Sequence, residues 1–281
     1  PQFKDVVTRY GPEVIFSDGE WDMPSKDWHS EELLAWLFNE SPVKDSVVVN
    51  DRWGGDCRHK HGGYFTTEYG AGLASGQHPW EENRGMGYSY GYSRTEPLED
   101  YRSARELILM LIDIVSRGGN LLLDIGPACD GTIPIIMEER LTQIGDWLKV
   151  NGEAIYGTRN WRRTTQWTEG KRPEVGYGKE YKAKYDINEL TARPTPEKAV
   201  IEAFFTTKGD TLYVITPRWP GEKLVVKDIE VSANTAVTML GVAQSVGWDR
   251  SGSDLTIRVP AMSVDDVPCQ YAYVFKITGV R

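Results

Sequence analysis

Cysteine is scarce in this 281-residue chain: Cys57, Cys129 and Cys269 stand at unrelated spacings. Three thiols form neither a metal quartet nor a disulfide framework, and an odd count leaves at least one free within the chain. Histidine is nearly as scarce, with 4 residues. His59 and His61 alternate, but no Asp, Glu or Cys spacing around them completes a ligand set, so no metal is expected. Positive charge is in deficit, 32 Lys and Arg against 41 Asp and Glu for a net charge of −9. The basic clusters at 58–60 and 159–163 are too small to track a phosphate backbone, which argues against nucleic acid as a partner. Long apolar runs are missing as well. The longest, 107–115, is interrupted by Asp113, short of the roughly 18 residues that a membrane span requires, so no membrane partner is expected. The first residues, Pro1 to Tyr10, lack a basic n-region and an apolar h-region. They read as a helix entered partway through a gene product. No Gly-rich phosphate loop appears, and Ser17 has no Gly-x-Ser-x-Gly elbow around it.

What is present is glycine and aromatic surface: 28 Gly, 15 Pro, 10 Trp, 14 Tyr and 7 Phe, with 40% apolar and 26% charged residues. This is a folded, loop-rich globular composition, and the length allows one large domain or two ordinary ones. From 1 to 157 helical patterns alternate with short apolar runs, the form of repeated βα units. Strands are expected at 14–18, 47–51, 63–68 and 121–125, and helices at 31–39, 101–116 and 136–150. From 158 to 281 the pattern changes. Alternating apolar runs at 199–206 and 211–217 flank Lys208-Gly209-Asp210, a hairpin signal. Further strands are expected at 223–231, 236–240, 255–259 and 271–277. With no helical period between them these fit an antiparallel β-sandwich, joined to the first part by a charged, Pro-bearing linker at about 158–198.

Polar residues at the ends of parallel strands point into the mouth of an α/β fold, where the core makes no demand for them. The first strand runs into Phe16-Ser17-Asp18-Gly19-Glu20-Trp21, which makes Asp18 a candidate nucleophile, the alternative being a turn or helix-capping Asp. The second runs into Asn50-Asp51-Arg52-Trp53. Arg52 could grip a carboxylate or a sugar hydroxyl with two nitrogens, or belong to a structural ion pair around Asp51. In the third, Tyr64, Thr66 and Glu68 share one face, bringing a second acid to a strand end. Glu81, in Pro79-Trp80-Glu81-Glu82, reads as a loop acid, catalytic or solvated. Two acids and an aromatic wall are what cleavage of a glycosidic bond needs.

Taken together, these stretches resemble the α-L-fucosidases of glycoside hydrolase family 29. The resemblance runs in order through Phe16-Ser17-Asp18-Gly19-Glu20-Trp21, Asn50-Asp51-Arg52-Trp53-Gly54, Thr67-Glu68-Tyr69, Trp80-Glu81, Ser89-Tyr90-Gly91-Tyr92, Gly118-Gly119-Asn120-Leu121 and Asn151-Gly152-Glu153-Ala154, with Met239-Leu240-Gly241 in the C-terminal part. It implies an α/β fold, a partial TIM-like (β/α) barrel over 1–157 followed by an antiparallel β-sandwich domain over 158–281. It also implies a retaining, exo-acting α-L-fucosidase that needs neither metal nor organic cofactor and acts on fucosylated glycans or glycoconjugates. Carried over residue by residue, Asp18 is the nucleophile, Glu68 the preferred acid/base and Glu81 the alternative. Phe16, Trp21, Arg52, Trp80 and Tyr90 are the substrate-binding set, with Tyr90 lining a pocket for the C6 methyl group. Two positions depart from the pattern: Phe16 where the family usually has Trp, and Asp124 where Asn is common. The family's N-terminal barrel half has no counterpart in the chain, so completion is expected from the same or another chain, with a homo-oligomer as one route. The resemblance alone suggests secretion, a periplasm or a lysosome-like compartment. The competing readings are a non-catalytic carbohydrate-binding or structural remnant, and a relative acting on another sugar such as galactose.

Overall fold

The computed structural model describes residues 2–74, 78–179 and 183–280. Helix α1 (Gln2–Tyr10) leads into strand β1 (Val14–Ile15), which pairs in parallel with β2 (Val48–Val49) after helix α2 (Ser30–Asn39). Strand β3 (Phe65–Glu68) pairs in parallel with β4 (Trp80–Gly85), and β4 with β5 (Gly119–Asp124) across helix α3 (Ala104–Ser116). The two parallel groups are joined where the Val49 carbonyl accepts the Gly63 and Tyr64 N–H groups, at 2.9 and 3.2 Å. All five C-terminal strand ends therefore open on one face. Helix α4 (Ile135–Asn151) follows β5.

Local chemistry sets the long central helix. The Ser103 hydroxyl accepts the Glu106 N–H while the Glu106 carboxylate accepts the Ser103 N–H, a reciprocal cap that fixes the start of α3. Gly118, at φ +83°, takes up the left-handed turn that ends it. Both flanks of α3 are buried: Leu107 packs with Met86 and Met137 on the parallel side, and Ile108, Leu109 and Ile112 pack toward the C-terminal sheets.

The C-terminal part holds β6 (Arg159–Trp167), the one-turn helix α5 (Ile187–Leu190), β7 (Ile201–Lys208), β8 (Thr211–Thr216), β9 (Lys223–Val226), β10 (Val237–Met239), β11 (Gly247–Ser251), β12 (Asp254–Arg258) and β13 (Tyr273–Ile277). They form a five-stranded sheet ordered β10-β13-β8-β7-β6 and a three-stranded sheet ordered β11-β12-β9, antiparallel throughout. The sheets face each other across Phe205, Leu212, Val214, Leu255, Ile257 and Phe275. In β8, Leu212 and Val214 point into that core while Tyr213 and Ile215 point the other way, onto α3 and α4. This double burial is why β8 reads as an almost unbroken apolar run. Trp147 of α4 donates its indole N–H to the Ala272 carbonyl at 3.0 Å, stitching the two parts together.

Most expected elements are present, including the hairpin, whose two-residue turn is Gly209-Asp210 with Gly209 at φ +61°. Four expectations need correction. The supposed linker opens with β6, an edge strand whose Arg162 and Arg163 lie over the Trp161 ring at 4.6 and 5.5 Å and so hide its apolar side in sequence. Strand β11 went unrecognised because none of its residues is fully buried: Gly247 and Trp248 are partly covered and Asp249, Arg250 and Ser251 are exposed. The helix expected from 101 begins at Ala104, after a 3-10 turn over Leu98–Asp100. The segment around Trp80 and Glu81 is the strand β4, not a loop. No helix lies among the described residues between β3 and β4.

Candidate active site

The side chain of Asn50 carries the β1–β2 ladder one step further. Its Oδ1 accepts the Ser17 N–H at 3.3 Å and its Nδ2 donates to the Ser17 carbonyl at 2.8 Å. Ser17 is thereby held in the interior, and the alternation of an extended chain turns the next residue, Asp18, outward to the open face; its side chain is 54% exposed. Arg52 arrives from the end of β2 with its side chain only 2% exposed. Its Nη1 donates to Asp18 Oδ1 at 2.6 Å, its Nη2 to Glu68 Oε2 at 3.0 Å and its Nε to Thr66 Oγ1 at 3.0 Å. Phe16 lies beneath the guanidinium, 4.9 Å from ring centre to Arg52 Cζ. Burial acts to lower the Arg52 pKa, but the hydrogen bonds and charges of Asp18 and Glu68 outweigh it and raise the value, so the group is a permanent cation.

Around this bridge lies a support that sequence reading did not assign. Thr66 Oγ1 accepts from Arg58 Nη1 at 2.9 Å as well as from Arg52, and donates to Asp51 Oδ1 at 2.7 Å. Asp51 Oδ1 also accepts the Thr66 N–H at 3.0 Å, and Oδ2 the His59 N–H at 2.9 Å. Asp51 thus serves Thr66 and His59, while the carboxylates Arg52 meets are Asp18 and Glu68. Arg58 in turn pairs with the buried Glu20 at 3.2 Å. The available signal was the shared face of Thr66 and Glu68 in β3. A cleft of about 170 Å³ runs beside Asp18 and Arg52, with Glu20 and the half-exposed Trp28 in its wall. Trp28 too was passed over, although Trp21, Met23 and Trp28 cluster just after the first strand.

The other expected residues fall unevenly. Tyr90 is half exposed, edge-on to Tyr69 at 6.3 Å, and its hydroxyl pKa is pushed up to about 12 by burial, with the charges of Asp124 and Glu68 adding to it. Trp21 is 63% exposed, on the same loop as Asp18. Trp80 is fully buried, clasped where a Cβ on Gly72 or Gly119 would come within 2.3–2.4 Å of its ring, with Arg117 stacked over it at 5.1 Å. It is core, closed to any substrate. Glu81 pairs in register with Thr66 on β3. Its Oε1 is shut off from solvent without a hydrogen-bond partner, and burial raises its pKa, an effect that the charge of Arg52 only partly opposes. Glu81 is thus a strand residue, not the loop acid that the sequence suggested. Among the described residues no group of three or more His, Cys, Asp or Glu is gathered as a metal ion would need.

Comparisons with known proteins show what the chain is similar to. A family model described as Alpha-L-fucosidase matches residues 1–153, and one described as Alpha-L-fucosidase C-terminal domain matches 197–278. The chain is 40% identical to the alpha-L-fucosidase of Branchiostoma floridae over 98% of its own length and 56% of that protein. To the human tissue alpha-L-fucosidase it is 37% identical, over 100% of its length and 54% of the relative. A crystal structure of the Thermotoga maritima alpha-fucosidase in complex with a mechanism-based inhibitor superposes with a TM-score of 0.73 at 31% identity, over 99% of this chain and 55% of that one. The chain thus spans about half the length of the curated relatives it matches.

Proposed function

The chain belongs to the alpha-L-fucosidase family, and on that premise we propose that it is the C-terminal portion of a retaining, exo-acting α-L-fucosidase. In this reading residues 1–157 form part of a TIM-like barrel, completed by an N-terminal half on the same or another chain, and residues 158–281 are the sandwich domain. The exposed side chains of Asn120 and Leu122 on edge strand β5 support such completion, since they stand on the face that carries Glu81 and Asn83. The substrates are fucosylated glycans. Relatives bear the names plasma and tissue alpha-L-fucosidase, and for this chain a secreted, periplasmic or lysosome-like setting is proposed.

The observation that carries the reading is one guanidinium shared by two carboxylates. Arg52 draws Asp18 and Glu68 toward a single point, compatible with the about 5 to 5.5 Å between acids expected of a retaining pair. Asp18 attacks the anomeric carbon while Glu68 gives its proton to the departing glycosidic oxygen. Glu68 then takes a proton from water, whose oxygen displaces Asp18 and frees fucose with its configuration retained. Phe16 and Tyr90 flank the pair as apolar wall. Glu81 is the second candidate for the proton donor, because burial raises its pKa, the direction a proton donor needs. Its enclosed Oε1 favours Glu68 for direct reach.

The test is hydrolysis of an aryl α-L-fucoside by the full-length protein. Asp18→Ala abolishes it by at least ~10³-fold with folding intact. A lectin-like remnant would instead keep glycan binding and have no hydrolysis to lose. Faster cleavage of the matching galactoside would replace fucose with another sugar.

A further inference from the structure

Between β4 and α3 the chain leaves the sheet at Met86 and returns at Arg102, whose N–H meets the Met86 carbonyl at 3.2 Å. This excursion brings Tyr90 beside Glu68. One oxygen, Glu96 Oε1, accepts two consecutive backbone N–H groups, from Tyr88 at 2.6 Å and Ser89 at 2.9 Å. Successive N–H groups converging on one anion make a nest, and the charge shortens the bonds. The approach needs Gly87, since a Cβ there would lie 2.4 Å from Glu96 Oε1. The base of the loop is held separately: Gly85 donates its N–H to the Tyr69 hydroxyl at 3.0 Å, and a Cβ on Gly85 would stand 2.1 Å from the Ser89 carbonyl. At the far side, Gly126 lets the backbone of Tyr92 lie against the exit of β5. Tyr90 itself makes no hydrogen bond among the described residues, and its ring meets Tyr69 by its edge. Its place is therefore set through its backbone, and Glu96 is the side chain that grips that backbone at the two preceding residues.

We propose that Glu96 is a positioning residue for sugar recognition: by holding the Tyr88 and Ser89 N–H groups it sets the Tyr90 ring against the methyl-bearing edge of the bound sugar. This rests on the fucosidase reading and on Tyr90 as the methyl wall. Glu96 touches no substrate. Without it the loop must be ordered at the moment of binding, so the loss falls on recognition of the C6 position more than on bond cleavage.

The experiment compares the full-length protein with Glu96→Ala, Glu96→Gln, Tyr90→Ala and the Glu96→Ala/Tyr90→Ala double variant on aryl α-L-fucoside and aryl α-L-galactoside. Glu96→Ala should raise KM for the fucoside about 10-fold and shrink the fucoside-over-galactoside preference in proportion, with kcat moving less. Glu96→Gln keeps an oxygen that accepts both N–H groups and should recover most of the loss. The double variant should be no worse than Tyr90→Ala, because both changes remove one function. If Glu96→Ala does not fold, Glu96→Asp, one methylene short of the nest, carries the same comparison. An unchanged KM and preference in the shortened variant, a Gln variant as impaired as Ala, or additivity with Tyr90→Ala overturns the assignment while leaving the fucosidase reading standing. A wild-type protein inert toward the fucoside overturns both.

Discussion

Arg52 meets its two carboxylates with different nitrogens, so replacing it with lysine leaves a point charge that cannot hold both in one plane. Losing one charge-assisted hydrogen bond is worth about 1.5–3 kcal/mol, which predicts a fall of roughly 10- to 100-fold in kcat/KM for Arg52→Lys. Steady-state kinetics on the full-length protein check this, and wild-type activity in the variant would contradict it. Glu81 gives a second prediction through pH. Burial raises its pKa above the ordinary 4.5, so the native state binds this proton more tightly than the unfolded chain. The stability it contributes is complete below pH 4.5 and is lost as pH rises through the native value. Glu81→Gln removes that titration, and its melting temperature should decline less between pH 4.5 and neutrality than the wild type's; parallel curves would contradict the assignment. Asp18, Arg52 and Glu68 were legible in sequence because a polar residue closing an apolar run has no use in a core. Trp80 was not, since a tryptophan beside a glutamate looks alike whether it faces a ligand or, as here, two glycines and an arginine.

Strand β4 shows why an element can be unreadable while its residues are conspicuous. Trp-Glu-Glu-Asn-Arg-Gly has no apolar alternation. One face buries Glu82 and Arg84 as an ion pair at 2.6 Å, satisfied further by the Gly70 N–H and the Thr67 hydroxyl. The other face carries Glu81 and Asn83, in register with Thr66 and Glu68 of β3. Both faces are polar, one for internal pairing and one for the site, so periodicity signals a loop. The helix α3, by contrast, announced itself through apolar spacing, and only its start was misjudged. Its reciprocal cap at Ser103 predicts that Ser103→Ala lowers stability by about 1 kcal/mol, seen as a lower melting temperature. An unchanged melting temperature would show that tertiary packing alone fixes that end.

Across the whole molecule, the sandwich and the parallel strands share α3 and α4 as a common wall, with Phe204, Tyr213, Ile215 and Val274 of the five-stranded sheet packed in the same core as Ile108, Ile112 and Trp147. The two-part architecture was legible from the change in pattern near residue 158, whereas this shared wall was not, because partners distant in sequence leave no periodic trace. The shared core packs the five-stranded sheet directly against α3 and α4. It leaves the face bearing Asn120 and Leu122 open, so the isolated chain is expected to fold yet turn over aryl α-L-fucoside weakly or not at all. Robust release of the aryl group by the chain alone would contradict that. The most direct measurement is to slow the second displacement in the full-length protein with a 2-fluoro fucosyl substrate and locate the covalent label by peptide mass spectrometry. The account predicts one fucosyl group on the peptide containing Asp18. A label on Glu68 or Glu81, or turnover with no trapped sugar, would contradict it.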